Sequence, residues 1–456
     1  MGRVTSQTTR HNRRRLNEKE YIWGLNDQLL SITNNGKQTL FEYDGWGNLA
    51  KATYPDGKVE LRNPDKVGNL FETVDRIDRK YCAGGRLEQS KEWTYKYDDE
   101  GRLTEKRHRV QIQQAWKYRW NSAGMLEEVV RPDGSTVSFK YDALGRRIEK
   151  LLFNRKTRWV WDGNVPLHEW NEIYTKDFTE EKGEFYTMKP SKTTTWLFEE
   201  GTFVPNGKLI DNESFSIQSN YLGTPEVMYN ADGKVVWSVE LDAYGDVRNL
   251  MGERTDCPFR YQGQYEDKET GLYYNRFRYY SAEEGMYISQ DPIRLLGGDN
   301  FYGYVPNVNC FIDYLGLSSH DSTVFTDSQG VTFTVNGYTD LSHLEEKDLK
   351  TIYYANSGKG KGKSPKDNKG NIIVLHHYKQ SAAGPIVALP EQHHNKPHTN
   401  RPINNGRGGQ HPFSNQKDKG VGSGEDRAIF NNWKKEFWAA QAKAAMKKKG
   451  ISCNEQ

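Results

Sequence analysis

The stretch FEYDGWGNL (Phe41–Leu49) decides the fold, because it comes back. It returns as KYDDEGRL (Lys96–Leu103), RWNSAGML (Arg119–Leu126) and KYDALGRR (Lys140–Arg147), with a degenerate copy, NPDKVGNL, at Asn63–Leu70. The aromatic positions Tyr97, Trp120 and Tyr141 lie 23 and 21 residues apart. A fixed period of that size marks a repeat architecture in which each unit buries its face against its neighbours. Within a unit, an aromatic ends a strand, Asp or Asn starts a turn, and glycine supplies the positive φ the turn needs. A second turn, PDG, follows at Pro55–Gly57 and Pro132–Gly134, so each unit reads as strand, turn, strand.

Composition agrees with a folded, β-rich chain. At 456 residues the protein exceeds one ordinary core, and 27 Tyr with 12 Trp exclude a disordered polymer. No run reaches the ~18 apolar residues of a membrane helix. The beginning, MGRVTSQTTRHNRRR, is basic but has no apolar region after it, so it is no Sec-type signal and reads as a start inside a longer repeat protein. Cys82, Cys257, Cys310 and Cys453 have no ligand-like spacing and read as free thiols of a reducing cytoplasm. Charge is uneven: residues 318–456 hold 20 Lys+Arg against 13 Asp+Glu, leaving 44 against 48 for residues 1–317. A basic C-terminal part points toward nucleic acid.

Further blocks extend the pattern: TTTWLFEEGTFVP (Thr193–Pro205), YLGTPEVMYNADGKVVW (Tyr221–Trp237), RYQGQYEDKETGLYYNRFRYY (Arg260–Tyr280) and GMYISQDP (Gly285–Pro292). With the repeats, and with PNVNCFIDYLGL (Pro306–Leu317), they resemble residues of the Rhs/YD-repeat proteins over 40–317. The resemblance implies strands that spiral into a hollow β-cocoon around a C-terminal toxin. It also implies a seam of DPxGL type, matched here by Asp313, Gly316 and Leu317, with Tyr314 where the family has proline and Tyr221 where it commonly has an Asp-His pair. In that family the core cuts itself after the seam leucine. The implied catalytic pair is Asp291 and Asp313, acting as carboxylates that share a proton, with Asp299 and Arg276 as supports. The competing reading is that these aspartates only cap local turns.

After the seam, residues 318–354 mix a hairpin with a short helix expected around Leu341–Ile352, and SGKGKGKSPKDNKGN (Ser357–Asn371) reads as a linker or a phosphate-contacting loop. Then NIIVLHHYKQ (Asn371–Gln380) is a β-branched strand ending in two histidines, and GPIVALP (Gly384–Pro390) is a second strand. Six of the 11 histidines lie between His376 and His411. Imidazole suits transition metals and general-base chemistry near neutrality. The segment resembles the LHH branch of the HNH/endonuclease VII nucleases over about 372–440, through Leu375–His376–His377 and the helix EDRAIFNNWKKEFW (Glu425–Trp438). The resemblance implies His377 as general base and His376 as metal ligand. His394, His398 and His411 compete for the remaining positions on one divalent ion, such as Mg²⁺ or Zn²⁺, with Asn395 or Asn400 orienting the base. Lys379, Arg427 and Lys434 are the implied DNA contacts. A structural zinc knot, or histidines that merely hydrogen-bond in loops, is the plainer alternative. The terminal helix carries a capping pattern at Ser423 and Asp426 and an apolar face of Ile429, Trp433 and Phe437.

The expected order is thus a mostly β shell (1–317), a linker with the N-terminal part of the toxin (318–371) and a small α+β, HNH-like domain of ββα-metal type (372–456). The resemblance implies an interbacterial toxin that releases a metal-dependent DNase. It would be made in the bacterial cytoplasm and secreted through a type VI or similar system with chaperones. It would act in the target-cell cytoplasm and be held in check by a cognate immunity protein. An RNase, or a non-catalytic YD-repeat surface protein, are the alternatives.

Overall fold

The computed structural model describes residues 3–25, 28–179, 183–292, 300–317, 323–329, 332–337, 341, 344–357, 362–366, 372–377, 386–390 and 425–451. The chain forms two compact units, Met1–Ser319 and His320–Gln456.

The first unit is built from antiparallel ladders. A six-stranded sheet runs from Ser6 to Leu61, and a sheet of 17 strands runs from Lys80 to Met251 in chain order. The repeated motif explains both. The Asp142 carboxylate accepts the amides of Leu144 and Arg146, and Gly145 turns at φ +75°. Asp44, Asp98, Asn121 and Asn220 hold the same two amides at their own turns. The aromatic before the acid sits at a β-bulge and reaches back to the preceding repeat. The Tyr141 hydroxyl donates to Leu126 O at 2.6 Å, Trp120 Nε1 to Leu103 O at 2.7 Å, and the Tyr43 hydroxyl to Leu29 O at 2.8 Å. Leu126, Leu103 and Leu29 are themselves buried, so one side chain links turn, bulge and core.

Residues 257–292 and 300–317 fold against the wall as a plug. Four short strands, Tyr265–Asp267, Leu272–Asn275, Arg278–Ser281 and Met286–Tyr287, form its sheet. Tyr265, Leu272, Tyr274 and Tyr279 share a core with Leu126, Val137, Trp159 and Trp237 of the wall. Tyr273, Tyr280 and Tyr287 share another with Leu49, Ala52 and Tyr54 of the first sheet. Buried ion pairs fix the plug: Asp267 meets Arg147 and Lys150, and Glu284 meets Lys106 at 2.7 Å.

Strands occupy the chain from Ser6 on, well before residue 40. Their hairpins turn on Asn12-Arg13 and Asn35-Gly36, all four at positive φ, so they lack the aromatic-acid signature of the later turns.

The first sheet meets the wall at a pair of acids. Glu60 accepts the amide of Ala243 at 2.8 Å and the Tyr54 hydroxyl at 2.6 Å, beside Asp242. Burial, and then the Glu60 charge, push the Asp242 carboxyl up to about 7 from the usual range. A raised carboxyl favours the fold while it binds its proton; that contribution is complete below the unfolded value and is lost as pH rises through about 7. Asp242→Asn keeps an oxygen for the amides of Tyr244 and Asp246 and removes the charge. The variant is expected to melt above the wild type at pH 8 and by a smaller margin at pH 5, as read by thermal unfolding.

The second unit carries a core made of its own residues. Helix α1 (Glu346–Ser357) places Leu349 and Ile352 against Trp433, Phe437, Ala442 and Met446 of helix α2 (Glu425–Lys448), with Ile373 and Leu375 from the sheet. The sheet order is Thr323–Thr326, Thr332–Gly337, Ile386–Pro390, Ile373–His377, with the middle pair parallel. Helix α1 begins later than Leu341: the Leu344 amide donates to Leu341 O, and Glu345 O accepts the first helical amides, from Asp348 and Leu349. On α2 the buried stripe includes Phe430 and Trp438, while Ile429 is only half-buried. Ser423 lies outside the described residues.

Candidate self-cleavage seam and nuclease site

At the seam, the strand Arg278–Ser281 delivers one buried guanidinium to two buried carboxylates. Arg278 Nη2 lies 3.0 Å from Asp291 Oδ2 and 3.3 Å from Asp313 Oδ2, so the two oxygens share one donor. The same side chain binds Gly316 O through Nε and Phe301 O through Nη1 at 3.1 Å, and stacks 3.7 Å over the Tyr287 ring. Asp313 has a second set of partners. Its Oδ2 accepts the Tyr287 hydroxyl at 2.8 Å, and its Oδ1 accepts the Leu317 amide at 3.0 Å. Asn275 Nδ2 spans Asp313 O at 2.9 Å and the Tyr287 oxygen at 2.7 Å. Burial, and then the Asp313 charge, hold the Tyr287 phenol well above its usual range, so it stays a proton donor.

The structure therefore brings Asp291 and Asp313 together, but through an arginine. The Arg278 guanidinium contacts both carboxyl groups, a bridging cation that the sequence motifs do not single out. Arg276, the expected support, turns away at φ +54° and binds Leu144 O and Asn164 of the wall. It occupies the two-residue hairpin between Asn275 and Arg278, whereas Arg278 lies within the ladder. Nothing in NRFRYY separates the two arginines by composition. Tyr287 and Asn275 also escaped sequence reading, because only their position across the sheet links them to Asp313. Asp299 lies outside the described residues.

Close packing fixes the seam backbone. Gly316 takes φ +68°, and the Phe277 amide donates to Leu315 O at 3.1 Å. Tyr314 stacks on Phe203, with centroids 5.3 Å apart, which steadies the position the family fills with proline. A Cβ on Gly263, which sits at φ +87°, would overlap the backbone carbonyl of Tyr314. Gly263→Ala is expected to cost ~1–3 kcal/mol of stability, as overpacking does, and to slow any cut after Leu317. Thermal unfolding and the ratio of cut to intact chain check this.

In the second unit, His376 and His377 are the last residues of the strand Ile373–His377, paired with Val387 and Ile386. His394, His398, His411 and Lys379 lie outside the described residues, as do Asn395 and Asn400. Arg427 lies in the first turn of α2, and Lys434 is half-buried further along it. The Glu436 carboxylate binds the amide and hydroxyl of Ser328, both at 2.7 Å, tying α2 to the first hairpin of this unit. Among the described residues no cluster of three metal-ligating side chains occurs, and no helix is long and apolar enough to cross a membrane.

Residues 1–295 match the family described as Teneurin YD-shell, and residues 358–444 match a nuclease of the HNH/endonuclease VII superfamily with conserved LHH. The chain is 30% identical over 390 residues to "Double-stranded DNA deaminase toxin A" of Burkholderia cenocepacia, covering 77% of this chain and 27% of that one. It is 33% identical over 311 residues to "Probable deoxyribonuclease RhsB" of Dickeya dadantii, covering 61% of this chain and 20% of that one. Among solved structures, a Photorhabdus luminescens Tc holotoxin pore is similar at TM-score 0.42 and 18% identity, over 73% of this chain and 18% of that one. The chain spans about a quarter or less of the length of these relatives. It belongs to the YD-shell family. More particularly, it has the make-up of an Rhs/YD-repeat polymorphic toxin whose C-terminal part is an LHH nuclease domain.

Proposed function

We propose that this chain is the shell and warhead of an interbacterial toxin. The shell cuts itself after Leu317, and the C-terminal unit is a metal-dependent DNase. The observation that supports the nuclease reading best is the strand Ile373–His377, which ends on the histidine pair inside the matched LHH segment. Both named relatives carry DNA in their names, one as a deaminase and one as a deoxyribonuclease, so DNA is the favoured substrate.

His377 takes the proton of the attacking water, a role an imidazole fills near neutrality. The donor set of His376, His394, His398 and His411 is rich in nitrogen and fits a divalent transition metal better than Mg²⁺, which prefers oxygen. Such an ion, when bound, would supply charge stabilisation at the scissile phosphate and the leaving oxygen. His376 and two of the later three histidines would hold it. Arg427, Lys434 and Lys379 neutralise the backbone on either side.

At the seam, Asp313 accepts the Leu317 amide, Arg278 bridges both acids, and the Tyr287 hydroxyl would return a proton. Asp313 or Asp291 then activates water toward the carbonyl of Leu317. An immunity protein, chaperones and a secretion apparatus are the partners such a toxin requires, and its site of action is the target-cell cytoplasm. Plasmid and RNA incubated with the purified C-terminal unit test the reading. Cutting of plasmid that EDTA stops supports it; cutting of RNA alone replaces DNA as substrate.

A further inference from the structure

The lysine-rich stretch between α1 and the histidine strand is anchored where it is described. Asn356, 5% exposed in the last turn of α1, uses its whole amide. Its Nδ2 donates to Ile352 O and to Lys363 O, both at 2.7 Å, and its Oδ1 accepts the Lys363 amide at 3.2 Å. The side chain thus imitates a strand partner and fixes the backbone of Lys363 at both ends. Gly362 turns at φ +78°, and a Cβ there would lie 2.9 Å from Asn356 Oδ1 and 3.0 Å from Lys435 Cγ. Only glycine lets the segment approach α2 so closely. Lys363 is exposed and Lys435 half-exposed, and among the described residues neither has an ion-pair partner. The acid beside Lys435, Glu436, is taken up by Ser328.

The segment then runs onto the histidine strand. Ile373 donates its amide to Pro365 O at 2.8 Å, and Lys366 forms a bridge with Ile372. From Ile373 to His377 a strand rises about 13 Å at ~3.3 Å per residue, the axial span of roughly four phosphates of one duplex strand. Lys435 packs against Gly362, the residue before Lys363, so both cations belong to the segment that leads onto the histidine strand.

We propose that Gly362–Lys366, clamped by Asn356 and laid against Lys435, is a contact surface for the sugar–phosphate backbone of the nucleic acid this unit cuts. The inference rests on the nuclease reading. Lys363 and Lys435 bind phosphate, and Asn356 is a positioning residue that acts through Lys363. Contacts of this kind bring affinity without sequence preference.

The test is equilibrium binding of a short labelled DNA duplex to residues 320–456, in EDTA, over a range of NaCl concentrations. Each phosphate contact contributes about 0.9 to the slope of log K against log salt. Lys363→Ala with Lys435→Ala should lower that slope by about 1.8 and weaken binding at moderate salt, with helix content and melting unchanged. Asn356→Ala should lower it by about 0.9, whereas a purely structural clamp would alter melting and leave the slope alone. A slope unchanged in the double variant, from a wild type that cuts DNA when metal is added, overturns the surface and leaves the nuclease standing. A wild type that neither binds nor cuts DNA or RNA overturns both.

Discussion

Asp313→Asn is expected to leave the chain uncut, and Arg278→Ala to leave it both uncut and markedly less stable. Wild-type protein should yield a fragment ending at Leu317, visible by intact mass. In the asparagine variant Oδ1 still accepts the Leu317 amide, but the charge that faced Arg278 and could take a proton from water is gone. Arg278→Ala takes away the guanidinium that bridges Asp291 and Asp313, each 3% exposed. Removing one partner of a buried pair costs about 3–5 kcal/mol, because the remaining charge stays in a poor solvent. The asparagine variant keeps the test sharp, since its shell should still fold. A fragment ending at Leu317 from Asp313→Asn contradicts the assignment.

The second large effect is expected in the other unit. His377→Ala should lower DNA cleavage by about 10²–10⁴-fold, the usual contribution of a general base. Folding should be unaffected, because the core of this unit is built from Ile373, Leu375 and the two helices. His376→Ala should instead weaken metal binding, so that more added metal is needed for the same rate. A His377→Ala protein that cuts DNA at the wild-type rate places the base elsewhere.

Sequence alone carried much of the shell because its signal is local and repeated. Tyr43, Trp120 and Tyr141 announce a bulge, a turn and a bond to the previous repeat within a few residues of one another. The hairpins at Asn12-Arg13 and Asn35-Gly36 make equally good strands with none of that signature, which is why the ladder could not be read before residue 40. The seam shows the limit more clearly. Asp291 and Asp313 are visible as motif residues, but the choice of Arg278 over Arg276 depends on which one falls in a two-residue turn. The stretch Ser357–Asn371 looked like a linker because glycine and lysine dominate it. Its anchoring by Asn356 involves backbone groups, which composition does not report. The start of α1 lies later than Leu341 for a related reason: Leu341 and Leu344 suit a helix by propensity, but the Leu344 amide bonds Leu341 O ahead of it.

The most direct measurement is cleavage of supercoiled plasmid by purified residues 320–456, wild type beside His377→Ala, with Mn²⁺, Zn²⁺, Mg²⁺ or EDTA. The account predicts metal-dependent nicking or linearisation by the wild type, abolished by EDTA and reduced to near background in the variant. Folded wild-type protein that cuts neither plasmid nor RNA with any of these ions would contradict it.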